Sequence, residues 1–171
     1  MYMYMHLHVY YIKLLECQCS CMYISGMTTP TEETVQAWVD LARAYNCALT
    51  AVENALKSAE FPALRWYDVL LELDRAGADG LRPFELQKNL LLPQYGVSRL
   101  IARIEKAGYL ERVSCEDDGR GQNVAITTSG KELRKQMWPI YRKALQEVIG
   151  LSCTPREASE LSVLLKKIIK P

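Results

Sequence analysis

The stretch VSRLIARIEKAGYLERVSCEDDGRGQNVAIT, from Val97 to Thr127, contains the pattern that decides the fold. Its first part spaces apolar residues three and four positions apart, which is typical of an amphipathic helix, and Gly108 follows as a stop signal. Its second part has two short arms with partly alternating apolar residues around a tip of charged residues and glycine. That pattern predicts a β-hairpin with a solvated loop. The sequence therefore predicts a helix followed directly by a hairpin.

The predicted helix has two different faces. Its apolar residues fall within one arc and are expected to anchor it: Val97, Leu100, Ile101 and Ile104. The outer face carries Tyr95, Ser98, Arg99, Ala102, Arg103 and Lys106. Arginine can bridge the two acceptors on a guanine edge, and serine or tyrosine can hold a phosphate or a base. The outer face is therefore compatible with a major-groove contact, although a lone charged face is also typical of plain solvated surface.

Two further helices precede this one. Proline and glycine punctuation predicts a helix over about residues 62–76, ended by Gly77, and a short helix that begins near Pro83. The third helix is expected over about residues 93–107. A short helix, a turn, a second helix and a β-hairpin together are typical of a winged helix-turn-helix.

Long helices are predicted at both ends of the chain. The first starts where Thr29 is expected to cap, Pro30 to take the first turn and Glu32 to reach back, and the last starts at the same signal around Thr154. The first helix carries a narrow apolar seam of Val35, Trp38, Ala42, Tyr45, Leu49, Val52 and Leu56, opposite Ala44, Ala48, Ala51 and Ala55. A helix that is apolar on two sides is expected to be buried between partners.

The last third repeats this pattern on two helices. One has a stripe of Leu133, Met137, Ile140, Tyr141, Ala144 and Val148, with a kink expected at Pro139, and the other has Ala158, Leu161, Leu165 and Ile168. A small domain offers little core for three such stripes. We therefore expect the terminal helices of two subunits to bury each other in a homodimer, with a monomeric helical bundle as the alternative.

Composition and charge limit the class of protein. With 171 residues, 49% of them hydrophobic and 24% charged, the chain suits one globular domain. Residues 27–80 carry 4 basic and 9 acidic groups, whereas residues 81–135 carry 10 and 7, so the middle segment is the one compatible with a polyanion. After residue 27 there is no histidine, phosphate-binding loop or metal-ligand set. We therefore expect no enzyme, no cofactor and no metal.

The first 26 residues differ from the rest and are expected to be an extension ahead of a natural start at Met27. Lys13 interrupts their apolar run, which fits neither a signal peptide nor a membrane span, so we expect a cytoplasmic protein without membrane contact. Alternating cysteines at positions 17, 19 and 21 near two histidines leave a metal cluster as an alternative, but they lack the usual zinc spacing. The other cysteines are scattered singly, which suits a reducing compartment.

The run FELQKNLLLPQYGVSRLIARIEKAGYLERVSCEDDGRGQNVAITTSGKEL, residues 84–133, resembles the MarR family of bacterial transcription regulators. The matching phrases are RIEKAGYLER at the end of the recognition helix, the Asp118-Gly119-Arg120 signature and ITTSG after it. The resemblance extends from Thr29 to the C-terminus. It implies a mainly α (α+β) fold: a winged helix-turn-helix over residues 61–127 between dimerisation helices in residues 27–60 and 128–171.

The resemblance also implies DNA-contacting residues. In the family, the arginine that matches Arg120 enters the minor groove, where a narrow groove favours a cation. Asp118 is expected to shape the wing turn, while Gly119 replaces the arginine often found there and gives the tip backbone freedom. In the recognition helix the candidates are Gln94, Tyr95, Ser98, Arg99 and Arg103. The resemblance implies that the partner is a pseudopalindromic double-stranded operator and that a homodimer reads it. It also implies a repressor.

Family members commonly bind small phenolic or aromatic molecules, and Trp38, Tyr45, Trp66 and Tyr67 are candidates to line such a pocket, although core packing would explain them equally. A redox branch of the family uses a cysteine instead. Cys47 is expected to be buried beside the alanine face, and Cys115 to pack in the wing. Two alternatives therefore stay open: a cysteine-based redox-sensing regulator, and a winged-helix module that binds protein rather than DNA.

Overall fold

The structure, a computed structural model, describes residues 29–90, 96–114 and 122–169. The described residues divide into two units at the boundary between Val39 and Asp40. Three parts of the sequence prediction lie outside the described residues: the first 26 residues, the wing tip with Cys115, and Gln94 with Tyr95. The described elements are, in chain order, α1 Glu32–Ser58, α2 Leu64–Ala76, α3 Pro83–Asn89, α4 Val97–Lys106, β1 Leu110–Ser114, β2 Gln122–Ile126, α5 Thr128–Leu145 and α6 Pro155–Ile168. Within the described part of the chain, no helix is both long and apolar enough to span a membrane.

Helix α1 begins two residues later than its sequence signal. The Thr31 hydroxyl accepts a hydrogen bond from the backbone N–H of Thr34 at 3.3 Å, so Thr31 and not Thr29 takes the capping role. The prediction that Thr29 caps the helix is therefore wrong. A threonine stands at both positions, and the local pattern does not say which one is taken.

Burial along α1 is restricted to its C-terminal part. Val52 and Leu56 are buried, whereas Tyr45 is 48% exposed and Trp38 is 68% exposed. Cys47 is exposed, so the prediction that it is a small buried residue is wrong. An alanine-rich side permits close approach of a partner but does not supply one, and no element among the described residues of this chain covers Cys47.

The core is formed by side chains from α1 to α5 and the wing strands. Its fully buried large residues are Leu56, Val69, Leu70, Leu73, Leu86, Ile104, Val124 and Met137. Burial of one such aliphatic side chain contributes about 1.5 to 3 kcal/mol. Six of these residues come from the winged-helix elements, and Leu56 and Met137 come from α1 and α5, so one core fixes α4 and the wing relative to α2 and to the flanking helices.

The wing is an antiparallel pair in which Leu110 faces Ile126 and Ser114 faces Gln122. A short third segment joins it at Leu81, whose backbone N–H donates to the Val124 carbonyl at 3.0 Å while the Val124 N–H donates back at 2.8 Å. Gly80 precedes that bridge with φ of 64°, and a Cβ there would collide with the Val124 carbonyl. Glycine is therefore required where the loop before α3 meets the sheet.

The phrases RIEKAGYLER and ITTSG, which resemble the MarR family, meet at one point of the structure. Helix α4 ends in a Schellman motif: Gly108, with φ of 82°, donates to the Glu105 carbonyl at 2.9 Å, and Tyr109 donates to the Ile104 carbonyl at 3.2 Å. The Thr127 hydroxyl donates to the Gly108 carbonyl at 2.8 Å and accepts from the Gly130 N–H at 3.1 Å, which caps α5. This junction holds the end of α4, the base of the wing and the start of α5 together.

Helix α5 continues through Pro139 and passes into a π-helical turn at Gln146–Gly150. Helix α6 then begins with the predicted signal: the Thr154 hydroxyl accepts from the Glu157 N–H at 3.3 Å, and the Glu157 carboxylate accepts from the Thr154 N–H at 2.8 Å. The prediction of this capping box is confirmed. No residue of α6 is buried within the described chain.

Candidate nucleic-acid interface

Helix α4 presents the two faces that its sequence predicts. Val97, Leu100, Ile101 and Ile104 are buried in the core, and this prediction is confirmed. On the other side Ser98, Arg99, Ala102, Arg103 and Lys106 are exposed. We call these five residues the outer face of α4. The buried arc holds the backbone in place, so the long cationic side chains project from a rigid support.

The outer face carries cations that are not neutralised. Among the described residues, neither Arg99 nor Arg103 takes part in an ion pair. The acid on this helix, Glu105, is instead held by Arg112, whose guanidinium donates to both carboxylate oxygens at 2.9 and 3.1 Å. This pairing leaves the outer face with a net positive charge, as a surface that meets phosphate needs.

The Arg112–Glu105 pair also connects the wing to the helix, since Arg112 lies in β1 and Glu105 in α4. A two-pronged contact between a guanidinium and a carboxylate restricts orientation as well as distance. Sequence reasoning missed this pair, and no spacing rule would have found it, because the two residues lie in different elements seven positions apart.

The other predicted DNA-contacting residues lie outside the described residues: Gln94, Tyr95, Asp118, Gly119 and Arg120. What the structure does describe is the base of the wing, where β1 and β2 leave the body of the protein at Leu110 and return at Ile126. The hairpin therefore starts from the C-terminal end of α4, next to the outer face.

A second site is a cavity of about 210 Å³ between α1, α2 and α5. Its wall consists of Tyr45, Ala48, Leu49, Val52, Leu64, Tyr67, Asp68, Leu71, Tyr141 and Leu145. Of the four predicted pocket residues, Tyr45 and Tyr67 line this cavity. Trp66 packs edge-on against Tyr109 with ring centroids 6.0 Å apart, and Trp38 is exposed.

Three rings pack together beside the cavity. Tyr67 stacks on Trp138 with centroids 6.1 Å apart and meets Tyr141 edge-on at 5.2 Å. Burial raises the pKa of Tyr141 above its usual value of 10.0, and the neighbouring Tyr67 and Asp68 raise it further. Tyr141 is therefore a neutral hydroxyl at physiological pH.

Asp68 is the residue of this cavity that sequence reasoning missed most clearly. It is 4% exposed and is the buried charged residue among the described core. Its position gives a signal that could have found it: Leu64, Tyr67 and Leu71 form an apolar stripe on α2 at helical spacing, and Asp68 lies within that stripe. An acid at a core position is expensive to bury and is therefore a candidate for function.

A helix-turn-helix whose second helix is exposed and cationic, followed by a two-stranded wing, defines the class of winged helix-turn-helix proteins. The sequence profile of the MarR family matches residues 62–121 of this chain. The multiple antibiotic resistance protein MarR of Escherichia coli strain K12 is 29% identical over 89 residues, which are 52% of this chain and 62% of that protein. The chain thus aligns with about three fifths of the length of that relative.

Solved structures share the fold. Sco3205, a MarR family transcriptional regulator from Streptomyces coelicolor determined in complex with DNA, superposes with a TM-score of 0.74 at 23% identity over 84% of this chain and 90% of that one. BpsR of Bordetella bronchiseptica superposes with a TM-score of 0.67 at 22% identity over 78% of this chain and 98% of that one. The profile over residues 62–121, the curated relative and the shared fold show that this chain is similar to the MarR family of transcription regulators.

Proposed function

We propose that the protein is a homodimeric, sequence-specific DNA-binding regulator that places α4 in the major groove. The observation that carries this proposal is the outer face of α4, where Arg99 and Arg103 project from a helix whose opposite face is buried and have no ion-pair partner among the described residues. An arginine that bridges a guanine edge contributes about 1 to 3 kcal/mol of discrimination against other bases. Sco3205 is described in complex with DNA, which supports the same role here.

The individual contacts are proposed from the family pattern. Arg99 reads a base, with Ser98 and Arg103 on a neighbouring base or phosphate, and Gln94 and Tyr95 contact DNA at the start of the recognition helix. In the wing, Arg120 enters the minor groove, Asp118 shapes the turn and Gly119 supplies backbone freedom. Because the Arg112–Glu105 pair connects β1 to α4, the wing and the helix would approach the duplex as one body.

The homodimer is proposed from exposed apolar side chains in both units. On α6, Leu161, Leu164 and Ile168 are exposed and share one arc, and on the first part of α1 Val35 and Trp38 are exposed. Contiguous exposed apolar residues of this kind mark an interaction surface. A twofold dimer would present its two α4 helices to successive major grooves, with half-site centres about 34 to 36 Å apart.

We further propose that a small aromatic ligand relieves repression by binding in the cavity between α1, α2 and α5. DNA binding by BpsR is described as regulated by 6-hydroxynicotinic acid, a small aromatic molecule. A ligand there would touch α2, which belongs to the winged helix, and α1 and α5, which carry the proposed dimer region. It can shift the equilibrium between DNA-competent and incompetent forms only by the difference in its affinity for them.

The test begins with selection of duplex fragments by the purified full chain, followed by fluorescence anisotropy on the selected sequence. We expect affinity to fall steeply with salt, with a log–log slope of about −0.9 for each phosphate neutralised. Arg99→Ala should weaken binding to the selected site by about 1 to 3 kcal/mol and relax its base preference. The control is Arg75→Ala, an exposed arginine on α2 outside the outer face, which should leave binding unchanged.

A salt-independent interaction, or an equal response to the two arginine substitutions, would contradict the proposed interface. In either case a winged-helix module that contacts protein would explain the fold better. The two functions differ in this readout because a protein interface of mixed chemistry releases few counterions on binding.

A further inference from the structure

The cavity between α1, α2 and α5 has a definite size. Its volume of about 210 Å³ is moderately larger than the roughly 150 Å³ apolar cavity that holds one benzene ring in a protein core. One six-membered ring with a short substituent fits that space. Tyr45 lines the cavity and is half exposed, so its ring lies where the cavity meets solvent.

The cavity wall is apolar except for one carboxylate and three tyrosine hydroxyls. The carboxylate is that of Asp68, which is 4% exposed. An ionised carboxylate only accepts hydrogen bonds, and its two oxygens offer about four lone-pair positions. A ligand donor can therefore add to the contacts that Asp68 already makes.

The pKa of Tyr141 indicates which sign of charge the cavity wall favours. Its pKa is raised by burial, by Tyr67 and by Asp68, so the surroundings disfavour a negative charge on that ring. A carboxylate or phenolate on a ligand in the same cavity would meet the same burial and the same neighbouring acid. A cation would be attracted by Asp68 and by the ring faces of Tyr67 and Tyr141.

We propose that this cavity selects a small monocyclic aromatic ammonium, with its ring packed between the contacting pair of Tyr67 and Tyr141 on one side and the apolar wall on the other, and with its ammonium group on the Asp68 carboxylate. The ligand chemistry rests on the cavity alone, and its regulatory meaning rests on the proposed function. A charge pair inside an apolar wall gives specificity for charge, because an ammonium group that enters the wall loses its water and needs an acidic partner there.

Three probes of equal size and different charge test the proposal: benzylammonium, benzyl alcohol and benzoate. Isothermal titration calorimetry on the full chain should rank benzylammonium first, benzyl alcohol second and benzoate last. We expect benzylammonium to bind about tenfold to a hundredfold more tightly than the alcohol, which is the range of a hydrogen bond to a charged group. Equal affinities, tightest binding of benzoate, or no binding of any probe at millimolar concentration would each overturn the proposal.

The charge is then removed from the site itself. Asp68→Asn keeps the shape of the side chain and should abolish the preference for benzylammonium over benzyl alcohol, with circular dichroism to show that the variant is folded. The control is Glu72→Gln, which removes the same charge from the same helix outside the cavity wall and should leave the ranking unchanged. An equal change in both variants would overturn the proposal, and the wild-type ranking decides it even where Asp68→Asn fails to fold.

Failure of this inference is distinguishable from failure of the proposed function. Duplex binding is measured without any ligand, and probe binding is measured without DNA. If the chain binds its operator but prefers benzoate, only the proposed cation site is contradicted. If the chain selects benzylammonium but binds no duplex, only the proposed regulatory role is contradicted.

Discussion

Helices α4 and α6 share the same spacing of apolar residues but lie in opposite environments in the structure. Both carry an apolar arc at helical spacing and cations near the C-terminal end. The arc of α4 is buried in the core of its own chain, whereas α6 has no buried residue and Leu164 is 56% exposed. Periodicity therefore shows which side of a helix is apolar but not whether the partner belongs to the same chain.

The two helices are also stabilised differently. Helix α4 follows Gly96, which has φ of 78° and provides no side-chain cap, so tertiary packing holds it. Helix α6 has a capping box at Thr154 and Glu157 but no buried residue within the described chain. Short helices without packing are marginal in water. This contrast favours a partner for α6 and predicts three effects of decreasing size.

The largest effect is expected in the buried arc of α4. Ile104→Ala removes a fully buried side chain and should lower the free energy of unfolding by about 2 to 5 kcal/mol in urea titration at fixed protein concentration. Arg103→Ala, one residue away on the outer face, should stay within about 0.5 kcal/mol of wild type while weakening DNA binding. Comparable destabilisation by the two substitutions would show that the faces of α4 are not separated in this way.

Much of this contrast was readable from the sequence. The stop at Gly108, the inner arc of α4 and the capping box at Thr154 were all predicted and are all present, because each depends on residues within one or two turns. The order of helices and hairpin followed from the same local punctuation. The hydrogen bond from Thr127 to Gly108 joins the two family-like phrases at one point of the fold, although each was read from its own local pattern.

The rest depended on tertiary contacts that no local pattern contains. Cys47 is exposed although its neighbours form a small-residue face, because the pattern cannot say what covers that face. Asp68 lines the cavity only because α1 and α5 approach α2 there. The Arg112–Glu105 pair requires the wing strand to return beside α4. In each case a long-range packing arrangement, and not the residue type, determined the role.

The second effect concerns the apolar arc of α6. Leu164→Ala should weaken self-association by about 1 to 2 kcal/mol per subunit, because somewhat more than half of the leucine side chain is left to bury, and should leave the core of the single chain intact. Sedimentation equilibrium over a range of concentrations measures this change. Lys166→Ala, on the opposite side of α6, is the matched control and should leave association unchanged. A wild-type chain that sediments as a monomer at micromolar concentration would remove the homodimer from the proposal.

The smallest effect concerns the cap that starts α6. Thr154→Ala removes the hydroxyl that accepts from the Glu157 N–H and should destabilise the first turn by about 1 kcal/mol, measured by amide hydrogen exchange. The same cap lowers the pKa of Glu157 below its usual 4.5, mainly through the Thr154 backbone N–H and then through the Thr154 hydroxyl. Because the folded-state pKa is depressed, the contribution of the carboxylate is present above the unfolded value and is lost as pH falls through the folded one. NMR titration should therefore find the pKa of Glu157 below 4.5 in the wild type and closer to its usual value in Thr154→Ala. Identical titration of Glu157 in the two proteins would mean that the Thr154 hydroxyl does not stabilise the Glu157 carboxylate.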